Sequence, residues 1–224
     1  MLRSDYDRSL TDLQMRLAEM GQHVESATRS ALSALEHQDL QLAREVIDAD
    51  DEIDRLQDSL ENDCVTIIAT QQPAARDLRS VLSAVHIAVE LERMGDYAEG
   101  IAKICIRIGD QPLLKPLIDI PRMADLALKM LDESLQSYAD QDEWLARKVC
   151  ADDDTIDDLY NQVYRELLTY MLSDPTTIER ATYLLWVAHN LERIADRATN
   201  IGERVLWLVS GHTVDSRPEN RSLR

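Results

Sequence analysis

Phenylalanine is absent from this chain of 224 residues, and glycine and proline number only six each. Leu, Ala, Asp, Glu and Arg are abundant in their place, the profile of a mostly helical protein. Cysteine is scarce too. Cys64, Cys105 and Cys150 stand far apart, with no CxxC and no Cys/His ligand spacing, so they read as small core residues of a reduced, cytosolic protein. Basic residues are outnumbered, 24 Lys and Arg against 42 Asp and Glu, for a formal charge of −18. That balance excludes binding to nucleic acid through phosphate contacts, which needs a basic face. An anionic membrane surface would repel the chain as well, whereas cations and basic partner surfaces would be attracted. No secretory segment opens the sequence and no run of 18 apolar residues occurs, which predicts a protein neither exported nor membrane-spanning by itself.

What is present is helical periodicity. From about Ser4 to His37, Leu10, Leu13, Leu17, Met20, Val24, Ala27, Ala31 and Leu35 recur at three- and four-residue steps. His37-Gln38-Asp39 breaks the pattern, with Asp39 placed as an N-cap. A second helix then carries Leu42, Val46, Ile53, Leu56, Leu60 and Ile67 to about Thr70. Pro73 marks the next break, and a third helix runs from about Ala74 to Ile108. Its seam of Ala84, Ile87, Leu91, Met94, Ala98, Ile101, Cys105 and Ile108 steps as in a bundle.

The second half repeats the first. Asp140 to Arg147 echoes His37 to Arg44, Asp153 to Asp157 echoes Asp50 to Asp54, and Asp174-Pro175 stands where Gln72-Pro73 stood. The clustered breakers from Gly109 to Pro116 separate the two. The expected fold is therefore all-α, two tandem, pseudo-repeated three-helix bundles built from six long helices. The expected divisions are a first repeat over 1–109, a linker over 110–117, a second repeat over 118–211 and a frayed polar tail over 212–224.

Both repeats carry a Leu-Glu-Arg block, Leu91-Glu92-Arg93 followed by Asp96 and Leu191-Glu192-Arg193 followed by Asp196. In so acidic a chain, chance alone should supply about eight acidic pairs four residues apart, so one such pair says little. Mirror spacing says more. Asp54 and Glu92 each lie 19 residues from Pro73, and Asp50 and Asp96 each lie 23 from it. Folding at the proline brings all four to one height, roughly 30 Å from the turn at a rise of about 1.5 Å per residue. Around Pro175, Asp157 and Glu192 lie 18 and 17 residues away, and Asp153 and Asp196 lie 22 and 21 away.

Four carboxylates in one place need protons or a cation, since like charges ~4 Å apart repel by about 1 kcal/mol even in bulk water. Oxygen ligands without thiolate suit Mg²⁺, Ca²⁺, Mn²⁺ or iron. With Leu91 and Leu191 at heptad position a, all eight carboxylates fall away from the apolar seam, which predicts two metal sites in outer grooves. Enzymatic apparatus is missing from the sequence. The inward Glu-x-x-His motifs of di-iron bundles are absent from these blocks, as are G-x-S-x-G and phosphate-cradling Gly-rich loops. His189 precedes Glu192 by three and could add a ligand, although Val89 holds the matching place. Arg93 and Arg193 either bridge along the helix, as Arg93 could to Glu90, or organise carboxylates.

On these residues the chain resembles the PhoU family of phosphate-transport regulators. The likeness rests on the tandem three-helix units, on Pro73-x-x-x-Asp77-Leu78-Arg79, on Leu91-Glu92-Arg93-Met94-Gly95-Asp96-Tyr97-Ala98-Glu99, and on Leu191 to Ile201. It implies multinuclear metal clusters (Fe, Zn, Mn, Mg or Ca) held by Asp50, Asp54, Glu92 and Asp96 in one half and by Asp153, Asp157, Glu192 and Asp196 in the other. It further implies a non-enzymatic, cytoplasmic negative regulator, free or peripheral at the inner membrane through protein partners. Such a protein couples the Pst phosphate ABC transporter to the PhoR sensor kinase and forms homodimers. An accessory protein of another phosphate carrier and a carboxylate-metal phosphohydrolase or oxidase stand as alternatives. Gly100 opposite Asn200, and Asn190 in place of Glu90, depart from strict repetition and suggest that the two metal sites differ.

Overall fold

The computed structural model describes residues 3–212, with side chains from residue 6 onward. The tail expected to fray lies outside the described residues beyond His212. Six long helices account for the fold: α1 (Arg3–His37), α2 (Leu40–Gln71), α3 (Arg76–Ile108), α4 (Asp119–Asp140), α5 (Glu143–Ser173) and α6 (Ile178–Ser210). Among the described residues there is no strand, as the sequence predicts.

The corners are built the same way twice. Asp39 accepts the N–H groups of Gln41 and Leu42, and Asp142 accepts those of Trp144 and Leu145, so each second helix starts on an aspartate cap. The residue before each cap, Gln38 and Gln141, is left-handed with φ of 53°. Gln38 also donates from its side chain to the carbonyl of Gly109, which ties the α1–α2 corner to the far end of α3. The two proline corners differ. After Gln72 and Pro73 the third helix begins only at Arg76, whereas a 3-10 turn over Pro175–Thr177 leads straight into α6, with Asp174 accepting from the Thr176 N–H.

α1 packs on α2 and α3, and α4 packs on α5 and α6. The halves join where α3 meets α6 and α1 meets α4. The seam residues Ile87, Leu91, Met94 and Ile101 of α3, and Leu191, Ile194 and Ile201 of α6, are fully buried in one continuous apolar core. Of the cysteines, Cys64 and Cys105 are buried, with burial pushing the Cys64 thiol up to about 11; Cys150 is only half-buried, its thiol directed at the Thr199 carbonyl.

Candidate metal-binding sites

α2 and α3 run side by side from the Pro73 corner, and their facing flanks carry Asp50, Asp54, Glu92 and Asp96. Single carboxylate oxygens of Asp50, Asp96 and Glu99 lie within 4.8 Å of one another. Gly95 lets the helices approach, since a Cβ there would stand 3.1 Å from Asp50 Oδ1 and 2.9 Å from Ile53 Cδ1. Burial first, then the charges of Glu99, Asp96 and Asp54, raises the Asp50 carboxyl to about 6. Glu92 is raised by burial and by Asp96 and Asp54, and Asp96 by burial, Asp54 and Glu99. Asp54 and Glu92 thus adjoin the trio of Asp50, Asp96 and Glu99, and the groove faces solvent, with Asp54 and Asp96 exposed.

Glu99 escapes the mirror-spacing argument because that argument pairs residues four apart. Its signal was available: Glu99 follows Asp96 by three, on the same helix flank.

In the second repeat α5 and α6 bring Asp153, Asp157, Glu192 and Asp196 into one electrostatic neighbourhood. Burial first, then Asp196 and more weakly Asp157 and Asp153, raises Glu192 to about 7, against the lowering pull of Arg193. Asp157 is raised by burial and by Asp196. Thr199 stands where Glu99 stood, and its hydroxyl bonds the Ala195 carbonyl. Arg193 donates to Asp196, and Arg197 lies 3.9 Å from the same carboxylate. Arg93 instead lies 3.9 Å from Glu90, so both matched arginines bridge along their own helices at a three-residue step, but only Arg193 takes a candidate ligand as its partner.

Glu192 Oε2 is buried without a hydrogen bond. His189 Nδ1 is 3.3 Å away but off the bonding direction, and its ring leans on Tyr160 at 6.1 Å between centroids. An orphaned carboxylate oxygen is costly unless something cationic meets it. Donor chemistry, convergence and the raised carboxyls all suit a hard cation in the first groove, and the orphaned oxygen suits one in the second.

The departures from strict repetition belong elsewhere. Glu90 is 3% exposed and accepts from Asn200 Nδ2 at 3.1 Å and Arg197 Nη1 at 3.3 Å, across the α3–α6 contact. A Cβ on Gly100 would come within 3.0 Å of Asn190 Nδ2. Position 90 thus meets 200 while 100 meets 190, as two helices packed antiparallel require. The four residues are the joint between the repeats, and their differences do not lie among the carboxylate ligand candidates.

A PhoU domain model matches residues 17–105 and again 120–205. The phosphate-specific transport system accessory protein PhoU homolog of Aquifex aeolicus (strain VF5) is 42% identical over 207 residues, 92% of this chain and 94% of that one. The homolog of the same name from Clostridium acetobutylicum is 36% identical, covering 96% of this chain and 99% of its own length. Among solved structures, the crystal structure of PhoU from Pseudomonas aeruginosa superposes with a TM-score of 0.87 at 36% identity, covering 92% of this chain and 100% of that one. The phosphate transport system regulatory protein PhoU from Streptococcus pneumoniae also gives 0.87, at 31% identity, covering 94% and 99%.

Proposed function

The chain belongs to the PhoU family, and from that premise we propose that it is a non-enzymatic accessory and regulatory protein of phosphate transport that holds metal ions in its two grooves. In this reading it sits on the cytoplasmic side as a homodimer, contacts the Pst phosphate ABC transporter and the PhoR sensor kinase, and restrains uptake and phosphate-starvation signalling when phosphate is plentiful. Among the described residues no helix is long and apolar enough to cross a membrane, so contact with a transporter would run through protein surfaces.

The observation that carries the metal-binding part is the convergence of Asp50, Asp96 and Glu99. Bound there, a hard cation would neutralise clustered charge and bridge α2 to α3. Asp50, Asp96 and Glu99 would be its ligands, with Asp54 and Glu92 completing or sharing the cluster; Asp153, Asp157, Glu192 and Asp196 would serve in the second groove. The protein's own part is to hold these carboxylates on rigid helices, close enough that their mutual repulsion favours a cation over water.

Two measurements test the reading. Elemental analysis of the purified protein should find metal that Asp96→Ala and Asp196→Ala together remove while circular dichroism stays helical; unchanged metal content would refute the ligand assignment. Purification from membranes at high and low phosphate should bring down transporter and kinase subunits, whereas turnover of a phosphoester or of oxygen, lost in Asp96→Ala, would make the protein an enzyme instead.

A further inference from the structure

The groove between α5 and α6 does not end at its carboxylates. On α5, Asp153 and Asp157 are followed at three- and four-residue steps by Tyr160, Tyr164, Leu168 and Met171, which places all six on one helix flank. On α6, Ile178, Leu185 and His189 lead into Glu192 and Asp196 along the facing flank. The ring contact of Tyr160 with His189 shows that the two flanks meet. Toward the Pro175 corner the groove therefore becomes apolar and stays open: Tyr164 is 44% exposed, Leu168 38% and Ile178 49%. Trp186, also exposed, borders it one turn from His189.

The first repeat provides the control. There the places of Tyr160, Tyr164 and Leu168 are held by Gln57, Glu61 and Val65, and Gln57 donates to Glu61 at 3.0 Å. The first groove thus carries a hydrogen-bonded polar pair where the second carries two tyrosines, and only the 65% exposed Val65 keeps an apolar side chain on that α2 flank, so the aromatic strip is not a by-product of the bundle pattern. Exposed aromatic and aliphatic side chains gathered in one strip mark an interaction surface.

We propose that this strip and the carboxylates at its end form one docking groove for a basic amphipathic helix of a partner protein. Apolar residues of that helix would lie on Tyr164, Leu168 and Ile178, and its Lys or Arg residues would reach the exposed carboxylates of Asp154 and Asp158, whose charges act on Asp157. Charge selects this occupant. A chain of formal charge −18 disfavours an anionic lipid surface and favours a cationic segment, and a second copy seated on this strip would bring further carboxylates to the acidic end of the groove. Helix-in-groove recognition uses such a stripe of anchors at three- and four-residue steps. The inference rests on reading the protein as an accessory that docks partners, and not on metal occupancy.

The test uses the full chain and a dye-labelled Leu/Lys amphipathic peptide, followed by fluorescence anisotropy. Binding should weaken at least about tenfold in Tyr164→Ser with Leu168→Ser, stay unchanged in Val65→Ser, and be absent for a Leu/Glu peptide of the same pattern. Equal binding by the double variant overturns the proposal, as does equal loss in Val65→Ser. So does conversion of a wild-type dimer into a monomer by the double variant in light scattering, which would make the occupant a second copy. Binding to phosphatidylglycerol vesicles that the same variant abolishes would make it a membrane. Metal content and helicity measured on the same samples keep the readings apart: a double variant that retains its metal but loses the peptide supports docking, and a wild-type chain that binds peptide without holding metal sinks only the metal reading.

Discussion

In the first repeat Asp50, Asp96 and Glu99 face one another while Arg93 turns to Glu90; in the second, Thr199 replaces Glu99 and both Arg193 and Arg197 reach Asp196. Two grooves built on matching positions have thus become a carboxylate-rich site and a site whose charge is partly met by the protein itself. The second groove instead keeps one buried oxygen of Glu192 without a hydrogen bond and continues into an aromatic strip that the first lacks. A duplicated scaffold can hold its helices in register while a few flank residues divide the labour: here the first groove is better equipped for a cation, and the second for meeting another molecule.

The comparison breaks most violently at the joint between the repeats. Glu90→Ala should destabilise the fold by about 3 kcal/mol in denaturant unfolding, because the half-buried Arg197 and Asn200 would lose the acceptor they share. Asn190→Ala, at the matching place, should cost well under half as much, since its neighbour Gly100 offers no charge to orphan. Similar losses in the two variants would mean that the joint is symmetric in energy after all.

Next in size is metal retention. Asp96→Ala should remove roughly half or more of the bound metal and Asp196→Ala a smaller share, on the expectation that affinity follows the number of uncompensated carboxylates. Elemental analysis showing the larger loss in Asp196→Ala would reverse the ranking of the grooves. Arg193→Gln should sharpen the same point. With its guanidinium gone from Asp196, the second site should bind the metal more tightly, by about tenfold or about 1.4 kcal/mol in calorimetry, while Arg93→Gln should change little.

The smallest effect is on pH dependence. Asp50 at about 6 and Glu192 at about 7 sit above their ordinary values of 3.8 and 4.5, so the folded, metal-free chain binds protons that the unfolded chain does not. Stability should then fall as pH rises through the window from about 4 to 7, and be regained on acidification within it. Asp50→Asn should flatten the lower part of that slope and Glu192→Gln the upper part in thermal melts of chelated protein. A slope that survives both substitutions would place its origin outside the grooves.

Much of this is legible in the sequence. The three- and four-residue steps of Leu, Ile and Ala set six helices, and Asp39, Pro73 and Pro175 fixed where they turn, because caps and prolines act on their own neighbours. Mirror spacing about the prolines placed the carboxylates at matching heights for the same local reason: a helix rises by a constant amount per residue. Glu99 was missed although its three-residue step from Asp96 was in view. Gly100 and Asn190 suggest unequal metal sites when read in the sequence, and in the fold they mark instead the crossing of α3 and α6. Nothing local says which flank of a helix will meet the other repeat.

The division follows from the range of the forces. Helix periods, capping and spacing are properties of residues a few positions apart, so the sequence by itself determined the all-α class, the family and the opposed carboxylates. That Arg197 and Asn200 reach Glu90, why Glu90 is buried, and that the aromatic flank of α5 lies against α6 beside Glu192 depend on contacts between residues tens to about a hundred positions apart. Those were decided only when the helices packed.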